Sequence, residues 1–153
     1  AGRTGSAYTA AIGSMKLREE IDAMRTLSLD PMENLVLPRI LALVVMLPLL
    51  TFIANMAGLI GGATMAWAQL GISPPLFAAR LTEAGDKWNF LVGMIKAPFF
   101  AVIIGLVGCY MGMKVEKSAE SLGEKTSDSV VMAIFFVIVI DAFFAIYFMQ
   151  VGV

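Results

Sequence analysis

Two ionisable side chains, Lys96 and Asp141, interrupt stretches of sequence that are otherwise apolar. If these stretches cross a bilayer, each charge costs at least about 2.5–3.5 kcal/mol, so both residues are candidates for a functional role. At a rise of 1.5 Å per residue, the two lie roughly 10 and 13 Å from the same membrane face, and they can meet. Two interpretations stay open. The charges form a structural ion pair (or the lysine reaches the interface), or they line a polar path.

The remaining residues offer little support for catalytic or metal chemistry. The sequence has no His, which excludes imidazole metal sites and His-based triads, and its one Cys, Cys109, cannot form an intrachain disulfide. No glycine-rich stretch has the lysine and spacing of a phosphate-binding loop. A net charge of −1 offers no basic surface for nucleic acid. We therefore predict no catalytic residue, no metal site and no nucleic-acid partner; if ATP drives the protein, another subunit binds it.

The composition is that of an integral membrane protein. Hydrophobic residues make up 59% of the 153 residues and charged residues 15%, with a mean hydropathy of +0.83. A soluble domain has about 25% charged and about 45–50% apolar residues, so both fractions depart in the same direction. Residues 40–79 contain no Asp, Glu, Lys or Arg, and roughly 20 apolar residues are enough to cross the hydrocarbon. We predict an all-α, polytopic transmembrane protein.

Three hydrophobic segments are long enough to span a membrane, at 40–67, 89–113 and 129–150. At 1.5 Å per residue these segments are roughly 33–42 Å long, which crosses a bilayer with some tilt. The sequence therefore predicts three transmembrane helices joined by two loops.

The distribution of Lys and Arg predicts the orientation of these helices. Residues 1–39 hold five of them and 114–128 hold three, whereas 68–88 holds two. By the positive-inside rule, the first two regions are cytoplasmic, and the loop 68–88 and the C-terminal end of 129–153 lie on the opposite side. Within that outer loop, the sequence predicts a turn and then a short amphipathic helix that ends in Trp88, an interfacial anchor.

Small residues recur at helical spacing near the N-terminus and inside two of the spans. Residues 4–15 are uncharged but too few to cross a membrane, so we interpret them as the end of an upstream span in a longer protein. Small residues four apart let helix backbones approach closely, whether the partner helix is in this chain or in a second copy. The predicted packing positions are Gly2, Gly5, Ser6, Gly13, Gly58, Gly62, Gly108 and Gly112.

The sequence predicts an amphipathic helix over residues 16–28. Leu17, Ile21 and Met24 share one face, and charges of both signs lie opposite. Such a helix either docks into a groove of a cytosolic partner or lies on the membrane surface. Surface-binding helices favour Lys and Arg, whereas the charges here are balanced, so we favour docking. Asp30-Pro31 predicts the start of a second short cytoplasmic helix before the first span.

Five blocks of sequence identify a family. They are Gly2-Arg3-Thr4-Gly5-Ser6-Ala7, Ala11-Ile12-Gly13-Ser14-Met15, Glu20-Ile21-Asp22-Ala23-Met24, Asp30-Pro31 and Leu37-Pro38-Arg39. In order and spacing they resemble the MlaE (YrbE-like) permeases, the membrane subunits of ABC transporters that move phospholipids between the inner and outer membranes of Gram-negative bacteria. The similarity continues through both charged spans and covers essentially the whole chain.

The resemblance implies the C-terminal part of a permease, with three spans after a cytoplasmic coupling-helix region. It implies a second permease copy, an ATPase subunit that binds ATP and Mg²⁺, MCE-domain subunits, and phospholipid as the substrate. The location would be the bacterial inner membrane, with the N-terminal region cytoplasmic and the C-terminus periplasmic. Lys96 and Asp141 match charged positions of the family's membrane helices. The residues that the resemblance assigns to ATPase coupling are Glu19, Glu20, Ile21, Asp22, Ala23, Met24 and Arg25.

Two other classes of function stay open. An ion-coupled secondary transporter would use Lys96 and Asp141 as its ion site, and its transport would depend on a gradient and not on ATP. A non-transporting membrane scaffold would use the stripes of small residues to assemble other proteins and would hold no substrate.

Overall fold

The computed structural model describes residues 1–84 and 87–151, and within these ranges the chain is helical, with no β-strand. The elements are α1 (Gly2–Leu17), α2 (Glu20–Thr26), a π-helical turn (Met32–Val36), α3 (Leu37–Leu70), α4 (Pro74–Ala84), α5 (Lys87–Lys114) and α6 (Ala119–Val151). The stretches long and apolar enough to cross a membrane are Met32–Leu70, Phe90–Lys114 and Ala119–Gln150. The predicted all-α fold with three spans is confirmed.

Helix α1 packs against both α5 and α6, and its small residues bring it very close to α5. A Cβ on Gly108 would lie 2.8 Å from the carbonyl oxygen of Gly5, so the two backbones touch. One turn further along, the fully buried Thr9 donates its hydroxyl to the carbonyl oxygen of Gly108 at 2.9 Å. A Cβ on Gly112 would lie 2.7 Å from Ile12. Close packing of this kind holds helices together where lipid removes the hydrophobic driving force between them.

The other edge of α1 packs on α6. A Cβ on Gly2 would lie 2.8 Å from Val130, and one on Gly13 would lie 2.5 Å from Leu122. Ala133 of α6 is fully buried at the same interface, 3.4 Å from the Cβ position of Gly5. The N-terminal glycines Gly2, Gly5 and Gly13 therefore lie at the contacts of α1 with its neighbouring helices.

Three of the predicted packing positions lie away from these contacts. Apart from its own helix backbone, nothing in the described chain lies within 4 Å of a Cβ placed on Gly58, and for Gly62 the neighbour is Phe77 of α4 at 3.9 Å. Ser6 is half-buried and donates its hydroxyl within α1, to the carbonyl oxygen of Arg3 at 2.9 Å. The C-terminal half of α3 therefore carries its glycines on a face that no other membrane helix of the described chain covers.

Helix α3 and the turn before it form one continuous helical segment. Asp30 caps its start as predicted, since the N–H of Met32 donates to the Asp30 carboxylate at 2.9 Å. The π-helical turn then runs directly into α3, so the prediction of a separate cytoplasmic helix before the span is wrong. Within this turn, whose backbone bonds join residue i to i+5, the adjacent Leu35 and Val36 are both buried against the bundle.

Helices α3 and α5 pack side by side in opposite directions. Near the start of α3, Ile40 lies 3.1 Å from the Cβ position of Gly105. Further along, the rings of Phe52 and Phe90 meet edge to face with centroids 6.0 Å apart. Leu43 is buried between the two helices. This pairing places the N-terminal end of α3 beside the C-terminal end of α5.

The predicted helix over residues 16–28 is divided in two. Helix α1 ends at Leu17 and α2 begins at Glu20. Between them Glu19 has a φ of 60°, in the left-handed region where a right-handed helix cannot continue. The sequence did not indicate this break because neither Gly nor Pro marks it.

Helix α6 begins at Ala119, well before the span predicted from hydropathy. The predicted loop 114–128 is therefore wrong, and residues 115–118 are the non-helical connection. The hydroxyl of Ser118 accepts a backbone N–H of the first turn at 3.1 Å and starts the helix there. Hydropathy marks the part of a helix that lies in hydrocarbon, and the first turns of α6 are polar and carry charged side chains.

Helix α4 occupies part of the predicted amphipathic stretch and packs on α3. The side chain of Trp88, the predicted interfacial anchor, lies outside the described residues, as do residues 152–153 at the C-terminus. The orientation of the chain in the membrane stays a prediction.

Candidate functional site

The two intramembrane charges meet between α5 and α6. Lys96 donates from Nζ to Oδ1 of Asp141 at 2.9 Å. The side chain of the lysine is 16% exposed and that of the aspartate is 55% exposed. The ring centroids of Phe144 and Phe148 both lie 5.8 Å from Nζ, within the range of a favourable cation–π interaction.

Within the pair, the Lys96 side chain is therefore enclosed by the protein, whereas the Asp141 side chain is open to the surroundings. The ammonium group is surrounded by the carboxylate and two rings, which offsets its loss of water. The carboxylate lies on the outside of this chain's bundle, on a helix that also forms an apolar concavity of about 280 Å³. This concavity is lined by Ile140, Phe143, Phe144 and Tyr147. The arrangement can hold α5 to α6 and can also present a polar group to a molecule outside, so both interpretations stay open.

The predicted coupling segment, α2, is anchored by Ile21. This side chain is 1% exposed and packs in a cluster with Ile12 of α1, Leu35 and Val36 before α3, and Cys109 of α5. The prediction of Ile21 as a contact with an ATPase subunit is corrected here, because a side chain with so little exposed surface cannot reach a partner unless α2 leaves the bundle. Its position joins α2 to α1, to the turn before α3 and to α5.

The other predicted coupling residues leave surface available to a partner. Glu19, Asp22, Ala23 and Arg25 are exposed, and Glu20 and Met24 are half-buried. Nε of Arg18 lies 3.2 Å from Glu20, and Nη1 of Arg25 lies 4.0 Å from Asp22. Exposed ion pairs of this kind contribute little to stability. These charges are therefore free to exchange partners when another protein approaches.

Glu19 makes a contact that the sequence did not indicate. Lys117, in the connection between α5 and α6, donates from Nζ to Oε1 of Glu19 at 2.7 Å and lies 3.9 Å from Oδ2 of Asp22. The hydrogen bond and the charge of Lys117 lower the pKa of Glu19, and the same contact raises the pKa of Lys117. The two residues are 98 positions apart. The one available signal was their predicted location on the same side of the membrane.

Two further polar contacts join α1 to α5. The hydroxyl of Thr9 lies 2.9 Å from the carbonyl oxygen of Gly108 and 3.0 Å from that of Gly5, so one proton is shared between the two helices. Lys16 donates from Nζ to the carbonyl oxygen of Met113 at 2.7 Å, where the end of α5 leaves backbone carbonyls without helical partners. The position of Thr9 in the stripe of small residues was a usable signal. The sequence holds no comparable signal for Lys16, because a lysine that binds a backbone carbonyl does not need a partner of any particular residue type.

Comparison with known proteins places these features in context. The family Permease MlaE matches residues 1–147. The chain is 35% identical over 143 residues to a probable ABC transporter permease of Synechocystis, a match that covers 94% of this chain and 54% of the relative. It is 33% identical over 150 residues to the chloroplastic protein trigalactosyldiacylglycerol 1 of Arabidopsis thaliana, covering 98% and 43%. A probable ABC transporter permease of Rickettsia typhi is 33% identical over 131 residues, covering 86% and 51%. The chain thus spans about half the length of these relatives.

Proposed function

This chain belongs to the MlaE permease family, and from that membership we propose that it is the membrane subunit of an ABC transporter that moves phospholipids between the inner and outer membranes of a bacterium. The family match over residues 1–147 carries the proposal. A lipid cargo is supported by the name of the Arabidopsis relative, which is that of a diacylglycerol lipid. It is supported also by a polar pair set among aromatic side chains of the spans.

The proposed transporter contains two permease copies, an ATPase subunit that binds ATP and Mg²⁺, and MCE-domain subunits on the periplasmic side. It lies in the inner membrane, with α2 and the α5–α6 connection in the cytoplasm. Most of the surface of α3 is left uncovered by the described chain. The glycines on its outer part, Gly58 and Gly62, suit close packing against another helix. This surface supports an assembly that contains further membrane helices.

In the proposed cycle, the ATPase subunits move relative to each other when ATP binds and is hydrolysed. The exposed residues of α2 receive this movement. Because Ile21 is packed against α1, the start of α3 and α5 together, a displacement of α2 shifts the cytoplasmic ends of these helices as a group. The shift opens and closes a lipid-sized cavity at the seam between the two copies.

Within that cavity we assign Lys96 and Asp141 to the polar part of the lipid path. The outward carboxylate of Asp141 faces the head group, and Lys96 holds the carboxylate in place from the enclosed side. The aromatic concavity on α6 accepts apolar chains. In this proposal Lys96 orients the carboxylate, and Asp141 presents it to the head group. The two charges are paired because a single charge at this depth in the membrane is costly.

Reconstitution of the full-length complex tests this function. The permease, its ATPase and its MCE-domain partners are placed in proteoliposomes, and transfer of a fluorescent phospholipid is followed with and without ATP. We expect ATP-dependent transfer that Asp141→Asn lowers while ATP hydrolysis continues. The control Asp128→Asn removes a carboxylate of α6 that is half-buried and lies 3.5 Å from Lys125, with no contact to Lys96 or Asp141 among the described residues, and leaves transfer unchanged.

The same experiment separates the alternatives. Transfer of an ion or solute that needs a gradient and ignores ATP would replace our proposal with ion-coupled transport, for which the Lys96–Asp141 pair at 2.9 Å is the supporting observation. A complex that retains no phospholipid and transfers none under either condition would support a scaffold.

A further inference from the structure

The α1–α2 turn and the α5–α6 connection meet at one place on the cytoplasmic end of the bundle, which we call the cytoplasmic junction (Lys16, Glu19, Asp22, Val115 and Lys117). Its ionic contact is the 2.7 Å hydrogen bond from Lys117 to Glu19, with Asp22 of α2 at 3.9 Å from the same Nζ. One lysine therefore faces carboxylates from the turn before α2 and from α2 itself.

The connection that carries Lys117 is held firmly from the other side. Val115 is fully buried, and its side chain lies 2.7 Å from the position of a Cβ on Gly13. The bond from Lys16 to the carbonyl oxygen of Met113 at 2.7 Å closes the end of α5 just before it. Lys117 thus belongs to a short segment with little freedom to move separately from α5 and α6.

The charged side chains around Lys117 leave Glu19 as its nearest carboxylate partner. Glu19 occupies the left-handed backbone position that ends α1. Asp22 lies 4.0 Å from Arg25 and 3.9 Å from Lys117, so two cations share it. Glu20 is paired with Arg18 at 3.2 Å. Among the cations described around α2, Lys117 is the one that comes from the α5–α6 connection.

We propose that Lys117 is a positioning residue that couples α2 to α5 and α6 through Glu19, giving the ATPase a second route into the spans besides the apolar contact of Ile21. This inference rests on the proposed function. Helices α5 and α6 carry Lys96 and Asp141, so a displacement of α2 reaches the proposed lipid path through the connection itself. The contact sets geometry and not overall stability, because both side chains are mostly exposed to water.

Charge reversal tests this route in the full complex. Lys117→Glu and Glu19→Lys should each reduce the phospholipid moved per ATP hydrolysed by about 1.4- to fivefold, the range for a single exposed ion pair. The double variant restores the pair with its charges exchanged and should recover most of the loss. Lys125→Glu is the matched control, because Lys125 pairs with Glu124 and Asp128 on α6 and has no contact with α2 among the described residues.

Hydrogen exchange of the amides of α2 (Glu20–Thr26), measured on the same complexes without ATP, reports the contact independently of transport. We expect faster exchange in each single variant and recovery in the double variant. Unchanged exchange and unchanged lipid movement in the single variants would overturn the proposal, as would a double variant no better than the worse single one. A wild-type complex that moves no lipid would overturn the proposed function instead, while the exchange data still decide whether the contact forms.

Discussion

Gly108 is the position where a single methyl group should do the most damage to the packing of α1 against α5. A Cβ there would lie 2.8 Å from the carbonyl oxygen of Gly5, 3.2 Å from its Cα and 3.1 Å from Cβ of Tyr8. These neighbours are backbone atoms or atoms attached directly to the backbone, so they cannot rotate away. Ordinary contact begins at 3.4 Å, and α1 must therefore retreat by about 0.6 Å.

The retreat has a cost that the structure lets us estimate. Overpacking of a filled interface costs about 1–3 kcal/mol. The same movement lengthens the bond from Thr9 to Gly108 from 2.9 Å to about 3.5 Å, beyond the usual hydrogen-bond range. An interhelical hydrogen bond in a membrane contributes about 0.6 kcal/mol on average and up to about 1.7 kcal/mol. Against this, Ala gains about 1 kcal/mol over Gly in helix propensity. We expect Gly108→Ala to lower the free energy of unfolding by about 1–4 kcal/mol.

Unfolding of the full-length protein in mixed micelles, followed by circular dichroism as denaturing detergent is added, measures this loss. Gly93→Ala is the matched control, since it is also a glycine inside the membrane-spanning part of α5 but its Cβ has open space in the described chain. We expect the control to be neutral or slightly stabilising. A Gly108→Ala protein as stable as wild type, or an equal loss in both variants, would refute the steric argument.

Two other predictions concern α2 and the turn before it. Ile21→Ala empties part of the cluster that anchors α2 and should lower the free energy of unfolding by about 2–5 kcal/mol. The control Leu27→Ala changes a side chain that is 71% exposed and should alter the free energy of unfolding by less than about 0.5 kcal/mol. Similar losses for the two variants in the same micelle assay would contradict the burial of Ile21. Lys117 lowers the pKa of Glu19 below 4.5, so the contribution of their contact is present above pH 4.5 and is lost as pH falls through the lowered pKa. An NMR titration should show the pKa of Glu19 returning towards 4.5 in Lys117→Met, and an unchanged value would argue against the contact.

The spans were predictable because the bilayer imposes a composition that needs no knowledge of neighbours. A run without charge from 40 to 79 and two further apolar segments are visible in the sequence alone. For a related reason the sequence indicated that Lys96 and Asp141 can meet. Two isolated charges at similar depth have few other partners in a low-dielectric medium, and the structure brings them to 2.9 Å.

Helix ends were less predictable where they leave the membrane. Hydropathy located α3 and α5 to within a few residues but placed the start of the last span far from Ala119, where α6 begins. The break at Glu19 depends on one residue in a left-handed conformation. Glu does not favour such a conformation, so the break accompanies the packing of Ile12 and Ile21 in one buried cluster on either side of the turn and is not visible in the residues around Glu19.

By itself the sequence determined that this chain is helical and embedded in a membrane, with three spans, stripes of small residues and two charges at similar depth, because these properties follow from hydropathy and helical spacing. Tertiary structure alone decided which small residues are used. Gly108 meets Gly5, whereas Gly58 meets no other membrane helix of the described chain, although both lie in the same four-residue pattern. It also decided that Ile21 faces inward and that Lys117 reaches Glu19. Those outcomes depend on which distant segments pack side by side, and the spacing of residues along one helix does not indicate that.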